Sequence, residues 1–355
     1  MKKYKINIII CIFLLMIISI INIYNAKYLN TLYSQYYIKQ FIWYIVSIIL
    51  FLILQKINIK NIFKISYIFY ILNIILLILV LIIGKEINGT KGWINIKGIS
   101  FQPSEFMKLS LSLFLINIST KKEKKLKNVI KLFIYTLIPS ILVFIEPDTG
   151  AIIFYFIILF TILFTKKINF KYYIYLLIIF ILLLFSFIYL YQNNQDLLVK
   201  LIGNSFYYRV NRILSYKESY QMDMALTNIY SVGFIRNGFN KILLYIPEGV
   251  TDFIFAFSIG NFGFIMLFII ITIYLFLIYN LFNLIKKYND KKTNYLIISF
   301  IIMLFFNILI NILMNIGLIP IIGITLPFLS YGGSSLILYF LYVGIIFNLT
   351  TTDKC

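Results

Sequence analysis

The feature that most limits what this chain can fold into is a succession of apolar runs, too long and too frequent for a water-soluble domain. They fall near residues 7–24, 40–55, 65–84, 104–119, 130–146, 150–165, 172–191, 253–284, 294–316 and 330–349. About 20 apolar residues cross a bilayer as one helix, because in lipid each backbone N–H and C=O must find its partner inside the segment. The runs therefore predict an all-α polytopic membrane protein with ten transmembrane helices. Hydrophobic residues make up 62% of the 355 and charged residues 12%, which leaves no polar segment long enough for a separate soluble core. Residues 1–355 read as a single transmembrane domain. The run at 253–284 exceeds one span, which predicts tilt or an extension into water. The fifth and sixth runs are short, and Glu146-Pro147-Asp148 between them allows two spans or a re-entrant pair. Met1-Lys2-Lys3-Tyr4-Lys5 resembles the start of a signal peptide, but no small-residue cleavage site follows, so the segment reads as an uncleaved first helix.

The net charge of +20 is a membrane signature here and does not indicate a nucleic-acid partner. Lysines flank membrane spans on the cytoplasmic side. With the N-terminus inside, alternate segments carry Lys2, Lys3 and Lys5, then Lys56, Lys60 and Lys64, then a cluster from Lys121 to Lys131, and so on to Lys354. Twenty of the 32 basic residues fall this way. The pattern places both termini in the cytoplasm and a large extracytoplasmic loop, about 192–252, between the seventh and eighth helices. Only Glu123, Asp290 and Asp353 of the twelve acidic residues fall inside. The absence of histidine excludes histidine-based catalysis and histidine metal sites. Cys11 lies in an apolar run and Cys355 is the last residue, which makes a disulfide improbable.

Candidate chemistry gathers on the predicted outer face. In Tyr245-Ile-Pro-Glu-Gly-Val-Thr-Asp252, Pro247 and Gly249 break helix, and Thr251 is an N-cap candidate that would put Asp252 in the first helical turn. Asp252 and Glu248 are then two carboxylates at the point where the chain enters the membrane; the plain alternative is a helix cap and a solvated loop acid. All three arginines, Arg209, Arg212 and Arg236, lie in the large outer loop. The arginine fork grips phosphate oxygens bidentately, so Arg209 and Arg212 are candidates for a pyrophosphate; internal salt bridges are the alternative. Gln102-Pro103-Ser104-Glu105 opens the fourth helix. Glu105 suits its dipole, and Lys108, three residues on in an apolar run, costs about 2.5–3.5 kcal/mol unless paired or in a wet cavity. A Glu105–Lys108 pair lining an interior cavity is the expected arrangement. Gly332-Gly333-Ser334-Ser335 could cradle an anion, or serve close helix packing. Trp93 is an interfacial belt residue or a platform for a sugar. Asp148 is equally a helix start and a functional acid.

Together these stretches resemble the SEDS family, named for shape, elongation, division and sporulation. The resemblance rests on Trp93-Ile94, Phe101-Gln-Pro-Ser-Glu-Phe-Met-Lys-Leu109, Glu146-Pro-Asp-Thr-Gly150, Tyr208-Arg-Val-Asn-Arg-Ile-Leu-Ser215, Ile246-Pro-Glu-Gly-Val-Thr-Asp-Phe-Ile-Phe255 and Leu326-Pro-Phe-Leu-Ser-Tyr-Gly-Gly-Ser-Ser335, in that order. It implies a peptidoglycan glycosyltransferase of the bacterial cytoplasmic membrane, active on the extracytoplasmic face. Such an enzyme polymerises lipid II, a disaccharide-pentapeptide on undecaprenyl pyrophosphate, by inverting transfer, beside a class B penicillin-binding protein that crosslinks the product. It implies that Asp252 is the essential carboxylate, with substrate-binding roles for Trp93, Gln102, Glu105, Lys108, Arg209, Arg212, Glu248, Ser330, Gly332, Gly333 and Ser334. Without histidine a carboxylate is the natural base; the other role open to Asp252 with Glu248 is to hold a divalent cation, Mg2+ or Mn2+.

The chain departs from the family pattern at Val250, where histidine is common, at Gly260-Asn261, where acids are usual, and at Gly92, where arginine is. Gly323-Ile-Thr-Leu-Pro327 is worded more like the division and sporulation branches than the elongation branch. A lipid II flippase and a non-catalytic scaffold are the competing readings. The gathering of polar residues on one face, rather than along a path through both leaflets, favours chemistry over transport.

Overall fold

The computed structural model describes residues 2–29, 31–59, 61–87, 90–96, 99–120, 125–166, 219–235 and 245–351, with Tyr189, Asn193 and Lys200 between. The helices are α1 (Lys2–Ala26), α2 (Tyr36–Lys56), α3 (Ile62–Ile83), α4 (Pro103–Ser119), α5 (Lys125–Ile145), α6 (Thr149–Thr165), α7 (Tyr220–Tyr230), α8 (Ile254–Phe262), α9 (Ile265–Ile285), α10 (Lys291–Asn315) and α11 (Gly333–Leu349). Among them α1, α2, α3, α5, α9 and α10 are long and apolar enough to cross a membrane, and α6 and α11 are shorter apolar helices. The run at 172–191 lies outside the described residues apart from Tyr189, as does most of 192–252.

The outer helices leave large apolar side chains uncovered, among them Phe41, Ile49 and Leu52 on α2 and Ile71, Leu72 and Ile82 on α3. Such faces suit hydrocarbon, where no polar partner is required of them. The centre is built differently. Helix α4, buried along nearly its whole length, packs against α3, α5, α6, α10 and α11. Its serines return their hydroxyls to the helix or a neighbour: Ser112 Oγ donates to the Lys108 carbonyl at 2.8 Å and pairs with the Tyr342 hydroxyl at 2.7 Å. Small hydroxyl residues allow helices to approach closely without leaving a polar atom unpaired.

Two expectations are corrected. The run at 253–284 is not one long tilted span. It divides at Gly263, where φ is +89°, into α8 and α9. The break is tied from outside, because Phe264 N–H donates to the Gly233 carbonyl at 3.2 Å and Ile265 N–H to that of Phe234 at 3.0 Å. The fold is mostly helical rather than all-α. Residues 85–101 form an antiparallel sheet of β1 (Lys85–Ile87), β2 (Thr90–Ile96) and β3 (Ile99–Phe101), in the order β1-β2-β3. Lys85 pairs with Trp93 and Ile94 with Phe101. The fifth and sixth runs resolve into two packed helices, α5 and α6.

Helix α11 lies along α2, and the approach is closest at Gly333. A side chain there would begin 2.3 Å from Cε2 of Trp43, a separation no real Cβ adopts. Gly333→Leu should therefore lower thermal stability by roughly 1–3 kcal/mol or prevent folding. Melting of the purified variant in detergent tests this, and an unchanged melting temperature would refute the contact.

Candidate active site

The turn that carries Asp252 is shaped by its own backbone. Gly249 N–H donates to the Ile246 carbonyl at 3.0 Å, and the Glu248 carbonyl accepts from Thr251 N–H at 3.2 Å and Phe253 N–H at 3.0 Å. Glu248 takes a left-handed conformation, φ +55°, uncommon outside glycine. Thr251 Oγ1 donates to the Glu248 carboxylate at 2.6 Å. Thr251 is thus spent inside the turn and does not cap the helix. Helix α8 starts at Ile254 behind Phe253, and Asp252 stands in the turn ahead of it. This corrects the expected first-turn placement.

The cap comes from α10 instead. Asn311 and Asn315 are wholly buried, and both side-chain amides donate to the Asp252 carbonyl, at 2.8 and 3.0 Å. Asn315 Oδ1 accepts from Ala256 N–H at 2.9 Å, satisfying one of the unpaired donors of the first turn. Asn311 also donates to the Ile324 carbonyl at 2.7 Å. One polar face of α10 therefore fixes the Asp252 turn and the 322–326 segment together. The Asp252 carboxylate faces that segment at Gly323, where a side chain would begin 3.7 Å from Oδ2 and where φ is +74°. Burial, then the charge of Glu248, then that of Asp148 push the Asp252 carboxyl from its ordinary 3.8 up to about 7.

Asp148 anchors the neighbouring part of the site. Its Oδ2 accepts from Gln102 Nε2 at 2.9 Å and Ser104 Oγ at 2.8 Å, while Oδ1 accepts from Ala151 N–H at 3.0 Å and caps α6. Asp148 is thus the helix start, one of its two readings. Gln102 N–H donates to Ser334 Oγ at 3.0 Å, joining α4 to α11. One turn along α4, Lys108 Nζ meets Glu105 Oε1 at 2.5 Å, with Lys108 3% exposed and its ammonium 4.8 Å from the Phe154 ring centre. The expected pair is present. Trp93 sits partly buried on β2.

The 326–335 stretch is held by buried polar contacts. Ser330 Oγ donates to the Thr251 carbonyl at 2.6 Å and accepts from Leu326 N–H at 2.7 Å. Gly332 N–H donates to Gln40 Oε1 at 3.3 Å, and Tyr331 N–H to the Val250 carbonyl at 2.8 Å. The structure thus gives Ser330, Gly332, Gly333 and Ser334 internal partners beside the Asp252 turn. Arg209, Arg212 and Arg236 lie outside the described residues.

Sequence reasoning missed three residues. Asn311 and Asn315 had a signal: with Asn307 they recur every fourth residue in an apolar run, which is one polar helix face. Glu146 had none. It is fully buried, and neither carboxylate oxygen has a partner among the described residues. A side chain at Gly92 would begin 3.5 Å from its Oε2. Burial and the charge of Asp148 push Glu146 from its ordinary 4.5 up to about 8.

A bundle of apolar helices surrounding a carboxylate-centred polar site defines a polytopic membrane protein with one built site in its interior. The same fold is found in a chain of a peptidoglycan synthase complex studied for how polymerization and crosslinking are coordinated, with a TM-score of 0.81 and 22% identity over 98% of this chain and 97% of that one. It is found also in the rod shape determining protein RodA of Thermus thermophilus, with a TM-score of 0.71 and 22% identity over 98% and 97%. Residues 4–355 match the cell cycle protein family of FtsW, RodA and SpoVE, and the chain belongs to that family. The probable peptidoglycan glycosyltransferase FtsW of Wigglesworthia glossinidia brevipalpis is 33% identical over 95% of this chain and 91% of its own. Stage V sporulation protein E of Bacillus subtilis is 28% identical over 77% of this chain and 74% of its own.

The raised Glu146 value fixes the sign of a stability change. Between about 4.5 and 8 the folded state binds a proton that the unfolded state releases, so this residue's contribution falls as pH rises through that window. Glu146→Gln should therefore raise the melting temperature more at pH 8.5 than at pH 4.5. Equal shifts at both would show that Glu146 titrates alike in the folded and unfolded states, and a larger loss at pH 8.5 would show an ionised, partnered carboxylate.

Proposed function

We propose that this protein is a peptidoglycan glycosyltransferase that polymerises lipid II at the extracytoplasmic face of the bacterial cytoplasmic membrane, as a single transmembrane unit with both termini in the cytoplasm. The observation that carries the reading is Asp252: a carboxylate poised near neutral pH, in a turn fixed by the Asn311 and Asn315 amides, at the centre of the family's motifs. Relatives named as probable peptidoglycan glycosyltransferases, and a structural neighbour from a peptidoglycan synthase complex, support the same chemistry.

In the reaction, an acceptor sugar hydroxyl attacks the anomeric carbon of the donor. The new C–O bond forms as the bond to the pyrophosphate breaks, and undecaprenyl pyrophosphate leaves with the electron pair. A single displacement inverts the α linkage of the donor to β. Asp252 takes the hydroxyl proton, which a base with a pKa near the working pH does well, typically for a 10²–10⁴-fold gain. Glu248 tunes it, since a like charge nearby keeps a carboxylate basic. Lys108, held by Glu105, and the arginines Arg209 and Arg212 are the cationic groups offered to the leaving pyrophosphate. Asp148 holds Gln102 and Ser104, and the Gln102 N–H holds Ser334. A class B penicillin-binding protein is the proposed partner.

Glu248 and Asp252 are also the pair proposed for a divalent cation. Among the described residues no group of three or more acidic, cysteine or histidine side chains is placed to hold a metal. Hard divalent cations take six or more oxygens, so an ion here would draw most of its ligands from substrate phosphates and water.

The test is polymerisation of lipid II by the purified protein with its penicillin-binding partner. Asp252→Asn should abolish polymer. For the wild type, kcat/KM should rise with pH through about 7 as Asp252 loses its proton. Glu248→Gln removes the neighbouring charge and should move that limb to lower pH. A polymerising Asp252→Asn variant would remove Asp252 as the base.

A further inference from the structure

Four tyrosines gather beside the turn that carries Asp252, and the chemistry above uses none of them. Tyr33 lies in a short 3-10 helix (Thr31–Tyr33), Tyr36 opens α2, Tyr245 enters the Asp252 turn, and Tyr331 belongs to the stretch before α11. The Tyr36 and Tyr331 rings stack with centres 4.4 Å apart and planes at 16°. Tyr33 and Tyr245 stack at 6.1 Å and 30°, and Tyr33 meets Tyr36 edge-on at 5.2 Å. Three segments remote in sequence thus build one aromatic wall. Tyr33 is its buried root, and Tyr36, Tyr245 and Tyr331 remain partly exposed. The Glu248 charge reaches the wall: after burial and Tyr245, it helps to push the Tyr33 phenol above its ordinary value.

A belt of tyrosines at a membrane interface meets lipid around the perimeter. This wall is tied to the candidate active site instead, because the Tyr331 N–H donates to the carbonyl of Val250, two residues before Asp252. Its composition, flat apolar faces with phenol hydroxyls beside one carboxylate, complements a pyranose, which presents a C–H face and a rim of hydroxyls. The Glu248 charge, which reaches Tyr33 and Tyr36, disfavours a pyrophosphate there.

We propose that Tyr33, Tyr36, Tyr245 and Tyr331, with Glu248, form the subsite that holds the acceptor saccharide while Asp252 removes its proton. The assignment of the sugar as acceptor rests on the glycosyltransferase reading; the saccharide site itself does not. Sugar on this wall would lie beside the turn that carries Asp252.

Two measurements on the full-length protein test it. The first is binding of a peptide-free oligosaccharide of alternating N-acetylglucosamine and N-acetylmuramic acid to detergent-purified protein, read by saturation-transfer NMR. The second is lipid II polymerisation with the partner. Tyr36→Ala and Tyr245→Ala should each weaken oligosaccharide binding roughly threefold to tenfold and raise KM more than they lower kcat. Tyr36→Phe should restore both, and Asp252→Asn should still bind. Alanine variants that bind and polymerise like wild type overturn the subsite and leave the enzyme standing. So does a loss of binding in Tyr36→Ala that Tyr36→Phe does not rescue and that comes with a lowered melting temperature, since that marks a structural ring. Failure of the wild type to bind the oligosaccharide also overturns it. Binding without polymerisation by the wild type keeps the saccharide site and removes the glycosyltransferase reading.

Discussion

A charged or polar group inside an apolar helical bundle must bring its partner with it, and this constraint organises the protein. Lys108 is the clearest case. An ammonium 3% exposed would be prohibitive alone, and Glu105 stands one turn away to meet it. The same rule places the Asn311 and Asn315 amides against the Asp252 carbonyl and Asp148 against Gln102 and Ser104. Each pairing is both a requirement of burial and a strut of the site. The site is therefore rigid because its polar atoms have been taken out of water.

Acidic groups show what burial and neighbouring charge do to a carboxyl. The charge of Asp148 reaches Glu146, and the charges of Glu248 and Asp148 reach Asp252. Glu146 and Asp252 are consequently pushed toward neutral pH, by burial first and by neighbouring acids second. Perturbed carboxyls in a built polar site are what general acid–base chemistry needs. In Asp252 the perturbation falls on the residue that the motifs single out. In Glu146 it falls beside Gly92, where the missing side chain leaves the acid without a partner among the described residues.

Two of the departures from the family pattern, at Val250 and at Gly260-Asn261, have local compensation. Val250 is buried and offers its carbonyl to Tyr331. Asn261 donates to Asn22 at 3.0 Å inside the bundle, and a side chain at Gly260 would begin 2.7 Å from Asn228 Oδ1. Neutral amides have taken over a region where acids are usual, and the packing has closed around the smaller residues. Gly260 and Asn261 lie on α8 behind the Asp252 turn, and Val250 lies in the turn itself.

The chain's own order of residues settled its solvent and much of its chemistry. Apolar runs set most helices, because a helix in lipid needs only local hydrogen bonds, and the three-residue spacing of Glu105 and Lys108 was enough to pair them. Motif order was enough to place Asp252 among the candidates. The tertiary structure decided what depends on contacts remote in sequence. Gly263 ends a helix where the run reads on, because carbonyls of Gly233 and Phe234 take the next two N–H groups. Thr251 turns to Glu248 because α10 already supplies the cap. The raised Asp252 value and the tyrosine wall exist only once segments tens to hundreds of residues apart have met. Spacing along a chain records local bonds; burial and long-range charge are properties of the packed molecule alone.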